Sequence, residues 1–460
     1  MDRRQTSPTL GALAPELICI ISDSLDDHDF LTLRSVSRTF QATLHTTFDA
    51  RFIKQRFLSL VCKSSLAALH SLANSRWGQN VEELVIDDDH LALHTIDEYF
   101  SELESQRELR MLRSYVMDQE HYWRVGESVR LLTEALKAMP NCSSIVITRP
   151  TYTRSKEFWQ RKIFDREYST PSGLGILTAA WESIWTNPVL SLCEDSLTAE
   201  SATSVTSKSM RALVDADIKV TSLEIIICDH GPASLYIPSQ DLLQYRAFLS
   251  RVKVFTFRHI QTNIRGHGRK DQWDSVLARF MQCMDGVESL TIQGPSELNV
   301  YAEPAGPDLL LAIQSWPLPR MRSLSLSEFY AKDFKALTAA LLNHGQLLEE
   351  VEIGPARFKD ALPSTEDILD LVRLCPNAEK FRISELRWGF ESPSKEVMFA
   401  SSLPSMPGHP GTELNDHVEL NATELRAAGF KADFEVVHIE VEGGTESLGS
   451  ESSNEGDRDE

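Results

Sequence analysis

A strand signature with apolar side chains at i, i+3 and i+5 recurs along this chain, and it limits the fold more than any other feature. It occurs at Val81, Leu84, Ile86; at Cys142, Ile145, Ile147; at Val220, Leu223, Ile225; and at Val252, Phe255, Phe257. It continues at Val287, Leu290, Ile292; Met321, Leu324, Leu326; Leu348, Val351, Ile353; and Ala378, Phe381, Ile383, and a last copy is expected at Phe434, Val437, Ile439. From the fourth copy the starts are 252, 287, 321, 348 and 378, which are steps of 35, 34, 27 and 30 residues. A period of that length marks stacked units, not chance alternation.

Helical stretches precede the strands: TEALKAMP before Cys142, DLLQYRAFL before Val252, DSVLARFMQCM before Val287, ALTAALLNH before Leu348 and DILDLVRLCP before Ala378. A unit of helix, short turn and strand buries its strand only when neighbours stack beside it, which predicts parallel strands in a solenoid. A doubly wound α/β domain with separate crossovers is the competing expectation. The turn fragments MPNCSSIVI and CPNAEKFRI resemble those of leucine-rich repeats, although no copy carries that family's full asparagine ladder. The resemblance implies an irregular horseshoe over residues 58–391.

The first steps, 61 and 78 residues, are too long and predict inserts near 87–127 and 191–210. Leu103, Leu109, Leu112 and Tyr115 suggest a helix in the first, whereas Ser191–Met210, rich in serine and threonine without periodicity, reads as a flexible loop. Residues 392–439 form an irregular segment; with Pro393, Pro404, Pro407 and Pro410, Ser392–Thr412 reads as mostly coil. Residues 1–9 are expected to be disordered. So is the tail 440–460, with eight carboxylates against Arg458 alone.

Residues 10–57 read as a helical module. Leu13, Leu17, Ile20, Ile21 and Leu25 form one stripe after Pro15, which suits a first turn. Asp26, Asp27 and Asp29 can cap a second helix carrying Phe30, Leu33, Val36, Phe40 and Leu44. So short an apolar module needs a surface to hide against. The order Leu13, Pro15, Glu16, Leu17, Ile18, Leu25, Asp29, Phe30, Leu33, Val36, Ser37, Arg38, Phe40 resembles the F-box pattern. Segments further on, YFSELESQ and VRLLTEALKAMPNCSSIVI among them, are similar to those of F-box proteins of filamentous fungi. The resemblance implies that these thirteen residues dock a Skp-type adaptor and, through it, a cullin.

Composition narrows the rest. A net charge of −21 over 460 residues disfavours nucleic acid as a partner, and no stretch is apolar and long enough to span a membrane. Seven scattered cysteines without a Cys-x-x-Cys pair read as reduced thiols, which places the chain in cytoplasm or nucleus. His90 and His94 beside Asp87, Asp88 and Asp89 read as a solvated turn in preference to a metal site. No nucleophile elbow occurs, and Gly266 to Arg269 lacks the spacing of a phosphate loop, so neither catalytic residues nor a cofactor nor a metal is expected. Arg258, His259, Arg265, His267, Arg269 and Lys270 form a basic cluster, either a solvated loop or a receiver for a phosphorylated segment.

The expected function is that of a non-enzymatic substrate receptor of an SCF-type ubiquitin ligase, with the repeats holding an unknown target protein. The alternative is an interaction scaffold outside any ligase. In a horseshoe the i+4 and i+6 side chains face outward. They are Glu224, Ile226, Thr256, Arg258, Thr291 and Gln293, then Ser325, Ser327, Glu352, Gly354, Arg382 and Ser384. Arg258, Thr291, Gln293, Ser325, Glu352 and Arg382 are the candidate target-binding residues; loops or the tail are the competing location.

Overall fold

The computed structural model describes residues 13–60, 63–87, 117, 121–122, 125–148, 199–228, 235–260, 270–294, 309–316, 318–331, 333–358, 363–384, 386–388, 395–401, 414–415, 417–421 and 434–440. Most of the 87–127 insert, His90 and His94, Arg265 to Arg269 and nearly all of the tail lie outside the described residues.

Four short helices open the chain: α1 (Pro15–Asp23), α2 (Asp27–Val36), α3 (Arg38–Thr43) and α4 (His45–Phe52). Pro15 starts α1, and the Asp26 carboxylate accepts from Asp29 N–H at 2.8 Å to cap α2. The second helix read from sequence is in fact two. Ser37 is extended, with φ −153° and ψ 158°, and its hydroxyl accepts from Phe40 N–H at 3.1 Å, so it ends α2 and caps α3. Ile18, Phe30, Phe40, Leu44 and Phe52 are the buried centre of this module.

Helices and strands then alternate: β1 (Gln55–Ser59), α5 (Lys63–Ala73), β2 (Glu83–Asp87), α6 (Glu127–Lys137), β3 (Ser144–Thr148), α7 (Ala199–Ala216) and β4 (Ser222–Cys228). Next come α8 (Leu242–Leu249), β5 (Val254–Ile260), α9 (Lys270–Met281), β6 (Ser289–Gln293) and α10 (Leu309–Ser315). All of these belong to one compact unit. Its strands β1 to β6 pair in parallel and in chain order. A doubly wound sheet reverses its strand order at a switch point, and this ladder does not, which removes that alternative here.

The remaining elements are β7 (Ser323–Ser327), β8 (Phe329–Ala331), α11 (Phe334–Leu341), β9 (Glu350–Ile353), β10 (Ala356–Phe358), α12 (Thr365–Leu374), β11 (Lys380–Ser384) and β12 (Leu386–Trp388). They are followed by β13 (Lys395–Ser401), β14 (Leu414–Asn415), β15 (His417–Asn421) and β16 (Phe434–Glu440), and together they form a second unit. Here each repeat supplies two strands. β7, β9 and β11 form one parallel ladder, and the three-residue β8, β10 and β12 form another. β15 ends the first ladder antiparallel to β11, and β13 continues the second antiparallel to β12, with β14 and β16 pairing in turn on β13.

The signature places the core accurately. All twenty-four of its side chains from Val81 to Ile383 are at most 2% exposed. The stacking bonds recur at fixed places as well: Lys54 C=O accepts from Glu82 and Glu83 N–H, Glu82 C=O from Ser143 and Ser144, and Thr221 C=O from Lys253 and Val254. Asn141 Nδ2 donates to Gln79 C=O at 2.7 Å, and Asn377 Nδ2 donates to Gln346 C=O, each tying a turn to the one before.

Four further sequence expectations about the elements need correction. Residues 55–57, read with the helical module, belong to β1, because Ile53 and Leu58 fill i and i+5 while Arg56, at i+3, hides the signature. Residues 199–210, read as loop, lie in α7; its buried stripe of Thr206, Ser209, Met210, Leu213 and Ala216 is part hydroxyl, so a search for apolar spacing misses it. Part of Ser392–Thr412 is strand β13, and Phe434–Ile439 is no last parallel repeat, because β16 runs antiparallel along β13.

Candidate functional site

Two surfaces stand out, one on the helical module and one along the strands. On α1 the inner face is Ile18 and Ser22, both buried, and the Ser22 hydroxyl donates to Cys19 C=O at 2.7 Å, so a polar residue can sit inward. The outer face therefore carries Leu17, Ile20 and Ile21, with Ile20 65% exposed. α2 adds Leu31 and Val36, the latter 67% exposed.

The thirteen residues of the F-box-like pattern divide accordingly. Pro15, Glu16, Leu17, Asp29, Val36 and Arg38 are exposed, and Leu13, Leu25, Leu33 and Ser37 are half-buried. Ile18, Phe30 and Phe40 are core and present no docking surface. Phe30 lies 5.6 Å from the Phe52 ring with the Arg51 guanidinium 5.2 Å from its own, and Arg51 donates on to Leu25 C=O at 2.6 Å. Ile20, Ile21 and Leu31 are exposed apolar residues outside the pattern. Ile20 and Ile21 were visible at helical spacing from Leu17, but spacing alone does not say which stripe faces in.

Along the strands, register sets the second surface. In the first unit Glu224, Thr256 and Thr291 are cross-strand partners, as are Arg258 and Gln293, and all five are half-buried. Glu224 Oε1 and Arg258 Nε pair at 3.0 Å. In the second unit Ser325, Glu352 and Arg382 are partners: Ser325 donates to Glu352 at 3.1 Å, and Arg382 Nη1 lies 3.5 Å from the same carboxylate. Beside them Lys380 pairs with Glu350 at 3.0 Å. Both strips are thus polar with charges largely matched internally. Two predicted strip positions are not surface, since Ile226 is 5% exposed and Gly354 is buried. The strip also stops short of the first repeats, where the corresponding Val85 and Val146 are buried.

Among the described residues, burial disfavours the ionised form of two thiols. Burial pushes the Cys142 thiol up to about 12 and raises that of Cys283, and a buried thiol that resists ionising is a poor nucleophile. Desolvation raises Tyr245 to about 12 and lowers Lys208 to about 8. No group of three or more His, Cys, Asp or Glu that could hold a metal ion occurs among the described residues, and no described helix is long and apolar enough to cross a membrane. Compared with models of known protein families and with curated proteins, the sequence matches none of them.

Proposed function

We propose that this chain is the substrate-recognition subunit of an SCF-type ubiquitin ligase, with α1 and α2 docking a Skp-type adaptor and the repeats holding a target protein. The observation that carries the reading is the outer face of α1, where Leu17, Ile20 and Ile21 meet solvent on a helix whose inner face is already filled by Ile18 and Ser22. Exposed apolar side chains clustered on one helix face mark an interaction surface. The repeats are read as leucine-rich-repeat-like, which the turn-to-turn bonds of Asn141 and Asn377 support. In this reading the chain contributes placement, not bond chemistry: a target on the polar strips is raised to a high effective concentration near a ubiquitin-loaded enzyme. The charge matching within the strips favours a target recognised by hydrogen bonds over one drawn in by net charge.

Affinity purification of the full chain tests the reading. Recovery of a Skp-type adaptor together with a cullin is the expected result. Adaptor without cullin favours a scaffold acting outside a ligase, and recovery of neither contradicts the docking claim.

A further inference from the structure

Helix α4 serves two assemblies at once. Within the helical module, Phe52 packs 5.6 Å from Phe30, Phe48 stacks on Phe52 at 5.2 Å, and the Arg34 guanidinium lies 3.9 Å from the Phe48 ring centre. Yet α4 also runs through Ile53 into β1 with the helix, turn and strand layout of the later repeats, and Ile53 and Leu58 are buried at i and i+5. It is therefore the helix of the first repeat as well.

The next turn closes onto it. The Trp77 indole lies 5.3 Å from the His45 ring and 5.5 Å from that of Phe48. Asn80 Nδ2 donates to Asp49 Oδ2 at 3.0 Å, and His45 Nδ1 is 3.2 Å from the same oxygen. Asn80 directly precedes Val81, as Asn141 precedes Cys142 and Asn377 precedes Ala378. Those two asparagines donate to a backbone carbonyl of the preceding turn, whereas at this first joint the acceptor is the Asp49 side chain, only 15% exposed. Asp49 C=O also accepts from Ile53 and Lys54 N–H at 2.9 and 2.8 Å, so one residue fixes both the exit from α4 and the closure of the next turn.

We infer that Asp49 is a positioning residue whose bond to Asn80 locks the helical module to the first repeats, so that the two move as one body. For its consequence the inference rests on the docking reading: a partner on α1 is then held at a set distance from the strip on β4 to β6. The bond itself does not depend on that reading.

The experiment uses the full chain with nitroxides carried by unnatural amino acids at exposed positions 23 on α1 and 282 after α9, and reads their distance distribution by double electron–electron resonance. Wild type gives one narrow distribution. Asn80→Asp sets a second carboxylate against Asp49 and is expected to lose it. Adding Asp49→Asn restores an amide-to-carboxylate bond in the reverse sense and is expected to bring the narrow distribution back. A wild-type width in Asn80→Asp, or no recovery in the double variant, overturns the inference. If Asn80→Asp fails to fold by circular dichroism, Asn80→Ala, which removes the bond without adding charge, is read by the same criterion. Adaptor pull-down is measured in parallel: its absence in wild type counts against the docking reading and leaves the distance result standing.

Discussion

At Gly286 an added Cβ would sit 1.9 Å from the Ser250 carbonyl oxygen, backbone against backbone, in the turn that stacks on the preceding repeat. Neither group can rotate away, so Gly286→Ala should destabilise the chain by about 2–4 kcal/mol, seen as a lowered denaturation midpoint. Gly126 is the contrast: its φ is +74° and a Cβ there meets nothing within 4 Å, so Gly126→Ala carries a conformational cost of about 1 kcal/mol alone. Lys208 gives a pH signature. Desolvation lowers it to about 8 from an ordinary 10.5, so between those values the unfolded chain binds more protons and stability rises with pH. Lys208→Met should therefore lack the gain in stability that wild type makes as pH climbs from 8 to 10.5. Urea melts of both proteins at pH 7 and pH 10 check the sign.

On α1, inward and outward apolar residues stand side by side. Leu17→Asp with Ile20→Asp changes only exposed positions and should move stability by less than about 1 kcal/mol, whereas Ile18→Ala empties a buried site and should cost about 2–4 kcal/mol. On the strands, exchanging Glu352→Lys with Arg382→Glu keeps their ion pair but inverts the strip, so the fold should persist while binding of a captured target falls; undiminished binding would move the target site elsewhere. How much of this the sequence disclosed depended on whether a position's chemistry matched its burial. Parallel β2 to β7, β9 and β11 were legible because every i, i+3 and i+5 side chain is apolar and lies in the core. β1 was hidden by Arg56, whose guanidinium donates to Phe52 C=O at 2.9 Å, and part of α7 was hidden by inward hydroxyls at Thr206 and Ser209. The short β8, β10 and β12 gave no signal, since three residues are too few to show a period. On the candidate docking surface, spacing found the helices but not their facing: Ile18, Phe30 and Phe40 fit the family pattern and point inward.

At the scale of the molecule, the account joins an apolar helical face to an array of stacked repeats through α4, which belongs to both. Each repeat buries its strand against its neighbours, so the array is a support whose exposed strand positions are free to vary without loss of core. The proposed docking face is the opposite case, because its Leu17 and Ile20 are exposed and add nothing to the core. The most direct test is binding of the purified full chain to a purified Skp-type adaptor, followed by size-exclusion chromatography with light scattering. The account predicts a one-to-one complex that the Leu17→Asp, Ile20→Asp variant loses while its circular dichroism spectrum stays that of wild type. A wild-type chain that forms no complex, or a variant that binds as wild type does, would contradict it.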